Sequence, residues 1–124
     1  MLLENKVVFL TGAASGIGRE CALACAREGA SVVIADADAD QARQTAADLG
    51  AAALAVECDV SDGPSVEGAV AAALARFGRI DAVHNNAGVA SPSKPLDATS
   101  EAEWDRLLAV NLKSICLLYT SRCV

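Results

Sequence analysis

The sequence predicts an α/β fold built on a doubly wound parallel sheet, and three observations carry that prediction. Short apolar runs alternate with segments of helical period, in the order β-α-β-α-β-α-β-α. The connections between them are brief, which suits parallel strands covered by helices on both faces. Gly29, Gly50 and Gly78 close the first three helical segments, and Asp36 stops the second strand. Right-handed crossovers leave few topologies, and the expected strand order is 3-2-1-4.

The elements follow in sequence. Residues 6–10 (KVVFL) form an apolar run suited to a strand buried on both faces. From Ile17 the period changes: Ile17, Cys21 and Cys25 recur one turn apart as a helical stripe, and Gly29 follows as a C-cap. Residues 31–35 (SVVIA) form a second strand, stopped at Asp36. The next helix, residues 39–49, sets Ala42, Ala46 and Leu49 on one face and ends at Gly50, with Asp38 and Asp40 solvated at its start. Residues 53–58 form a weaker third strand. Val66, Val70, Ala73, Leu74 and Phe77 mark a third helix closed by Gly78. Residues 80–84 (IDAVH) form a fourth strand in which His84 is expected to pack among apolar neighbours. A loop over residues 91–97, with Pro92 and Pro95, precedes a capping box of Ser100 and Glu103. The last helix is expected to bury Trp104, Leu107, Leu108 and Ile115, with Asn111 inside the same stripe as a buried amide in need of partners.

Composition narrows the function classes. The chain has 124 residues, 53% of them hydrophobic and 21% charged, enough for one modest globular domain. Alanine supplies 27 residues, so helices can approach the sheet closely. The formal net charge of −6 argues against a nucleic-acid partner, which needs clustered Lys and Arg. No apolar run approaches the ~18 residues of a membrane span, and the N-terminus lacks the basic flank and apolar stretch of a signal peptide. Five scattered cysteines, none in a CxxC pair, suggest reduced thiols and a cytoplasmic location. No metal-ligand spacing is present.

The chemistry gathers at the ends of the strands. Thr11-Gly12-Ala13-Ala14-Ser15-Gly16-Ile17-Gly18 spans the turn from the first strand into the first helix. Gly12 suits a sharp turn, Gly16 a close approach of backbone to ligand, and Gly18 tight packing of helix on strand. The helix N-terminus presents free N–H groups and a positive dipole end, which suits a pyrophosphate. Asp36, at the end of the second strand, can accept hydrogen bonds from an adenosine ribose and would repel a 2′-phosphate. Neither Ser15 nor Ala37 supplies a cation to attract one, so NAD is favoured over NADP. Asp59-Val60 and Asn85-Asn86-Ala87-Gly88 end the third and fourth strands at the same crevice.

Together TGAASGIG, Asp36, Asp59-Val60, NNAG at 85–88 and VNL at 110–112 resemble the short-chain dehydrogenase/reductase family. The resemblance runs in order over about residues 3–115 and implies the N-terminal half of a Rossmann-like domain. It implies that Gly12, Ser15, Gly16, Ile17 and Gly18 line a pyrophosphate, Asp36 binds the ribose, and Asp59 and Val60 flank the adenine. Asn86, Ala87 and Gly88 would lie along the cofactor. Asn111 matches the family's catalytic-helix asparagine, which holds a water in a proton relay. The implied reaction is NAD-linked hydride transfer to or from a small alcohol or ketone, in a homo-oligomeric parent. Three other readings stay open on the residues: a non-catalytic NAD-binding module; a Rossmann methyltransferase, which also surrounds an adenosine with a glycine-rich turn and an acidic strand end; and a structural fragment that folds only on a partner.

The chain departs from the family at its end. A Tyr-x-x-x-Lys pair and an upstream Ser should follow the asparagine helix; Tyr119 instead has Cys123 four residues on. Residues 119–124 can be encoded by TAC ACA TCT AGA TGT GTA, its own reverse complement, and a sequencing-library adaptor translates to CLLYTS. The expectation is therefore a truncated nucleotide-binding domain over residues 1–115, and a non-native adaptor read-through over residues 116–124. Such a chain is expected to lack turnover and to leave its fourth strand as a sheet edge.

Overall fold

The computed structural model describes residues 1–91 and 93–122. Pro92 of the expected loop, and Cys123 and Val124 of the expected tail, lie outside the described residues. Four parallel strands, β1 (Val7–Thr11), β2 (Ser31–Asp36), β3 (Ala53–Glu57) and β4 (Ala82–His84), stand in the order β3-β2-β1-β4. Register is set by the pairs Phe9 with Val33 and Phe9 with Val83, and by Ile34 with Ala55. The chain steps outward from β1 to β3, then returns past β1 to β4. Doubly wound sheets bind their ligands at that reversal.

Alternation of side chains divides the core in two. Val7, Phe9, Val33, Ala35 and Val56 face α3 (Gly63–Phe77), through Val66, Val70 and Ala73. Val8, Leu10, Val32 and Ile34 face α1 (Gly16–Arg27) and α2 (Ala39–Leu49), through Ala22 and Ala42. Both faces of β1 and β2 are thus dry, which is why their sequences read as unbroken apolar runs. Asp38 and Asp62 cap α2 and α3, accepting from the N–H groups of Gln41 and Ser65.

The buried face of α1 centres on Gly18 and Ala22, while Ile17 is 76% exposed and Cys21 and Cys25 are only half-buried. The expected stripe is therefore displaced by one residue, because Gly18 is drawn against the Gly12 carbonyl. His84 is exposed and not packed, since β4 is the edge of the sheet formed by the described residues. Leu74 also emerges from its stripe, at 40% exposure.

The last helix is not one smooth rod. It comprises α4 (Glu101–Leu108), a π-helical turn (Ala109–Lys113) and α5 (Ser114–Arg122). The Ser100–Glu103 capping box forms as expected. The burial of Trp104, Leu108 and Ile115 does not: they are 54%, 41% and 44% exposed. Trp104 and Leu108 lie on a face of α4 that no described element covers, and the π-turn, which adds about a residue per turn, rotates the stripe from Ala109 onward. The deep contact comes further on, where Leu118 joins the core beside α3. Asn111 is likewise exposed rather than buried.

Candidate active site

At the C-terminal ends of the strands lies a cleft of about 490 Å³. It draws Gly12 and Ser15 from the glycine turn, Asp36 and Ala37 from the end of β2, and Asp59 and Val60 from the end of β3. Asn86, Ala87 and Gly88 complete it after β4. Gly16 and Ile17 sit on an open groove at the outer side of the turn, and Gly18 lies beneath it.

The glycine turn is held from several directions. Gly12 has φ +61°, and a Cβ there would meet the Ala87 Cα at 2.8 Å. The adjoining Thr11 hydroxyl is buried and accepts from the N–H groups of Asn86 and Ala87, both at 3.1 Å. The Asn86 amide donates to the carbonyls of Thr11 and Gly12 at 3.0 Å. A Cβ on Gly18 would lie 2.3 Å from the Gly12 oxygen, so only glycine lets α1 pack this close. Gly16 has φ +57°, and a Cβ there would meet nothing within 4 Å. Its outward side is therefore free for a ligand. Ser15, the N-cap of α1, forms no side-chain capping bond, whereas Asp38, Asp62 and Ser100 cap the helices they precede.

Asp36 is fixed by two backbone donors: the Ala14 N–H at 3.0 Å on Oδ2 and the Asp38 N–H at 3.0 Å on Oδ1. Asp59 accepts from the Ser61 hydroxyl at 2.6 Å and the Ser61 N–H at 2.9 Å, and these bonds lower its pKa. Cys58 lines the cleft as a buried thiol whose pKa is pushed up to about 11, by burial first and then by the charges of Asp59 and Asp36. Such a thiol stays protonated and unreactive at neutral pH. Val60 packs into the core and reaches the cleft from behind.

Asn111 stands in the π-turn, a helical distortion common at functional sites. Its amide grips Val89 at both backbone groups: Nδ2 donates to the carbonyl and Oδ1 accepts from the N–H, each at 2.8 Å. The partners a lone amide requires are found on the strand-four loop and not inside the helix stripe. A Cβ on Gly88 would approach Asn111 Oδ1 at 3.3 Å, so Asn111 borders the cleft through its neighbours.

Sequence reasoning missed three members of this arrangement: the buried hydroxyls of Thr11 and Thr45, and Arg106 of α4 on the cleft wall. Thr45 had a signal, being a polar residue on the helical face shared by Ala42, Ala46 and Leu49. Arg106 had none, because its approach depends on how the long 89–100 connection returns α4 to the sheet.

The glycine turn, the Asp36 carboxylate and the Asn86 amide form one connected site. A family described as short chain dehydrogenase matches residues 6–122. The chain belongs to the short-chain dehydrogenase family. Membership sets aside the methyltransferase alternative. Among its relatives, a sorbitol dehydrogenase of Cereibacter sphaeroides is 45% identical over 112 residues, 90% of this chain and 43% of that protein. A D-threitol dehydrogenase of Mycolicibacterium smegmatis is 44% identical, over 94% of this chain and 45% of that protein. A crystal structure of a 3-ketoacyl-(acyl-carrier-protein) reductase from Brucella melitensis, complexed with NADH, superposes with a TM-score of 0.94 at 41% identity. It covers 95% of this short-chain dehydrogenase chain and 49% of its own. The chain spans less than half the length of these relatives. No described helix is long and apolar enough to cross a membrane.

Proposed function

We propose that the chain is the dinucleotide-binding part of an oxidoreductase that moves a hydride between a nicotinamide cofactor and a small alcohol or carbonyl compound. The observation that carries this is the cleft itself. An uncapped helix start and a fixed Asp36 carboxylate meet in a space of the size used for small-molecule sites, with the open Gly16 on the outer side of the same turn. In this reading Gly12, Ser15, Gly16, Ile17 and Gly18 receive the pyrophosphate. Asp36 takes the adenosine ribose, Asp59 and Val60 the adenine, and Asn86, Ala87 and Gly88 the ribose–nicotinamide side. Asn111 holds the Val89 backbone beside the reacting end and so shapes the proton path. The chemistry that a nicotinamide group supplies is hydride transfer.

NAD is preferred over NADP, because a 2′-phosphate at the ribose would meet Asp36 and no cation comes from residues 15 or 37. The cleft-lining cation among the described residues, Arg106, belongs to α4. The names of the relatives, two of them sugar-alcohol dehydrogenases, support an alcohol substrate. In the full parent, a cytoplasmic homo-oligomer, a Tyr-x-x-x-Lys pair would complete the acid–base chemistry. We propose that residues 1–115 form the native part of this domain, residues 116–124 being a non-native tail, and that the 124 residues alone bind without turnover.

Titration of NADH and NADPH by calorimetry tests the reading. NADH should bind more tightly by roughly tenfold, the effect of setting like charges together. Asp36→Ala with Ala37→Arg should reverse the order. NADPH binding more tightly to the wild-type chain would contradict it.

A further inference from the structure

Ala14 is gripped at both of its backbone groups by neighbouring elements. Its N–H donates to Asp36 Oδ2 at 3.0 Å, and its carbonyl accepts from Thr45 Oγ1 at 2.9 Å. Thr45 lies in the middle of α2 and is fully buried. A threonine within a helix can turn its hydroxyl to a carbonyl of its own helix. This one instead reaches a residue 31 positions away, in the glycine turn.

The direction of that bond matters. A trans peptide is planar and holds its C=O and N–H on opposite sides, and the described chain contains no cis peptide. With the Ala14 carbonyl drawn toward α2, the Ser15 N–H of the same peptide is turned away from α2. Ser15 is on the cleft wall and is the N-cap residue that makes no side-chain capping bond. Resting on the dinucleotide reading of the cleft, we propose that Thr45 is a positioning residue for pyrophosphate recognition: its hydroxyl orients the Ala14–Ser15 peptide so that the Ser15 N–H meets the anion. Thr45 itself touches no ligand.

The test is NADH binding to the full 124-residue chain, followed by fluorescence, with Thr45→Val and Thr45→Ser. Valine keeps the shape and removes the hydroxyl; serine keeps the hydroxyl and removes a methyl group. Loss of one such hydrogen bond should weaken NADH roughly three- to tenfold in Thr45→Val, while Thr45→Ser stays within about twofold of wild type. Adenosine, which carries no phosphate, should bind the two variants and the wild type alike. If Thr45→Val does not fold, Thr45→Ala against Thr45→Ser gives the same contrast. Equal NADH affinity with and without the hydroxyl would overturn the proposal, as would a loss that follows the methyl group or falls equally on adenosine. A wild-type chain that binds no NADH would overturn the dinucleotide reading beneath it, a different and separately visible failure.

Discussion

The two sides of the cleft are built to different standards of closure. On the glycine-turn side, Asn86, Asp36 and Thr45 reach in from after β4, the end of β2 and the middle of α2 to hold Thr11, Gly12 and Ala14. Beneath them Phe9, Leu10, Val32, Val33 and Ile34 are fully buried. On the other side, the α4–α5 segment is attached through Asn111 to Val89, Glu103 to Lys94, and Leu118 to the core. It leaves Trp104, Leu108, Leu112, Ile115 and Tyr119 at least 41% exposed. The contrast teaches that the glycine turn is held by three other elements at once, whereas Asn111 hangs from a helix with a large uncovered apolar face.

The largest effect should come from emptying the closed side. Phe9→Ala removes a ring with no exposed surface and should cost about 3–5 kcal/mol. Trp104→Ala, on a side chain 54% exposed, should cost about 1 kcal/mol or less. Urea midpoints for the two variants decide the matter. Equal losses would mean that the two sides are equally packed and would break the comparison.

The same contrast explains what was legible in the sequence. Strands β1 and β2 were readable because burial on both faces leaves an apolar run, and α2 because alanines at helical spacing have few other uses. The strand order followed from alternation and crossover handedness. Glycines 12 and 18 could be assigned roles from their position alone, and contacts of 2.8 and 2.3 Å at their absent Cβ atoms explain why. Apart from the one-residue shift of the α1 stripe, the misreadings fall on the open side. His84 and Trp104 look like core residues when type is taken for burial, but an edge strand and a helix face without a covering layer leave them wet. The π-turn at Asn111 has no periodic signature, and the Val89 contact depends on a loop whose path no local pattern encodes. Thr45 marks a limit of another kind, since a threonine on an alanine face signals a hydrogen bond but does not name its partner.

A smaller effect separates the sides by their chemistry. Glu103 is bonded by the Lys94 ammonium and by the Ser100 N–H and hydroxyl, which pull its pKa from 4.5 to about 2. A depressed carboxyl contributes stability that is present above its unfolded value and is lost as pH falls through the folded one. The α4 cap should therefore loosen between about pH 4.5 and 2. The Thr11, Asn86 and Thr45 bonds join groups that do not titrate there. In an acid titration followed by amide resonances, Ser100 and Glu103 should move before Thr11 and Asn86; the reverse order would place the acid-sensitive contact on the glycine turn.

Native-state hydrogen exchange measures the difference in closure most directly, residue by residue. Amides of Phe9, Leu10 and Val33 should exchange only through global unfolding, and those of Val83 and α5 through local openings that cost much less. Adding NADH should slow Ser15 and Gly16 further and leave α5 unchanged. Protection of α4 and α5 equal to that of β1 and β2 would contradict the account.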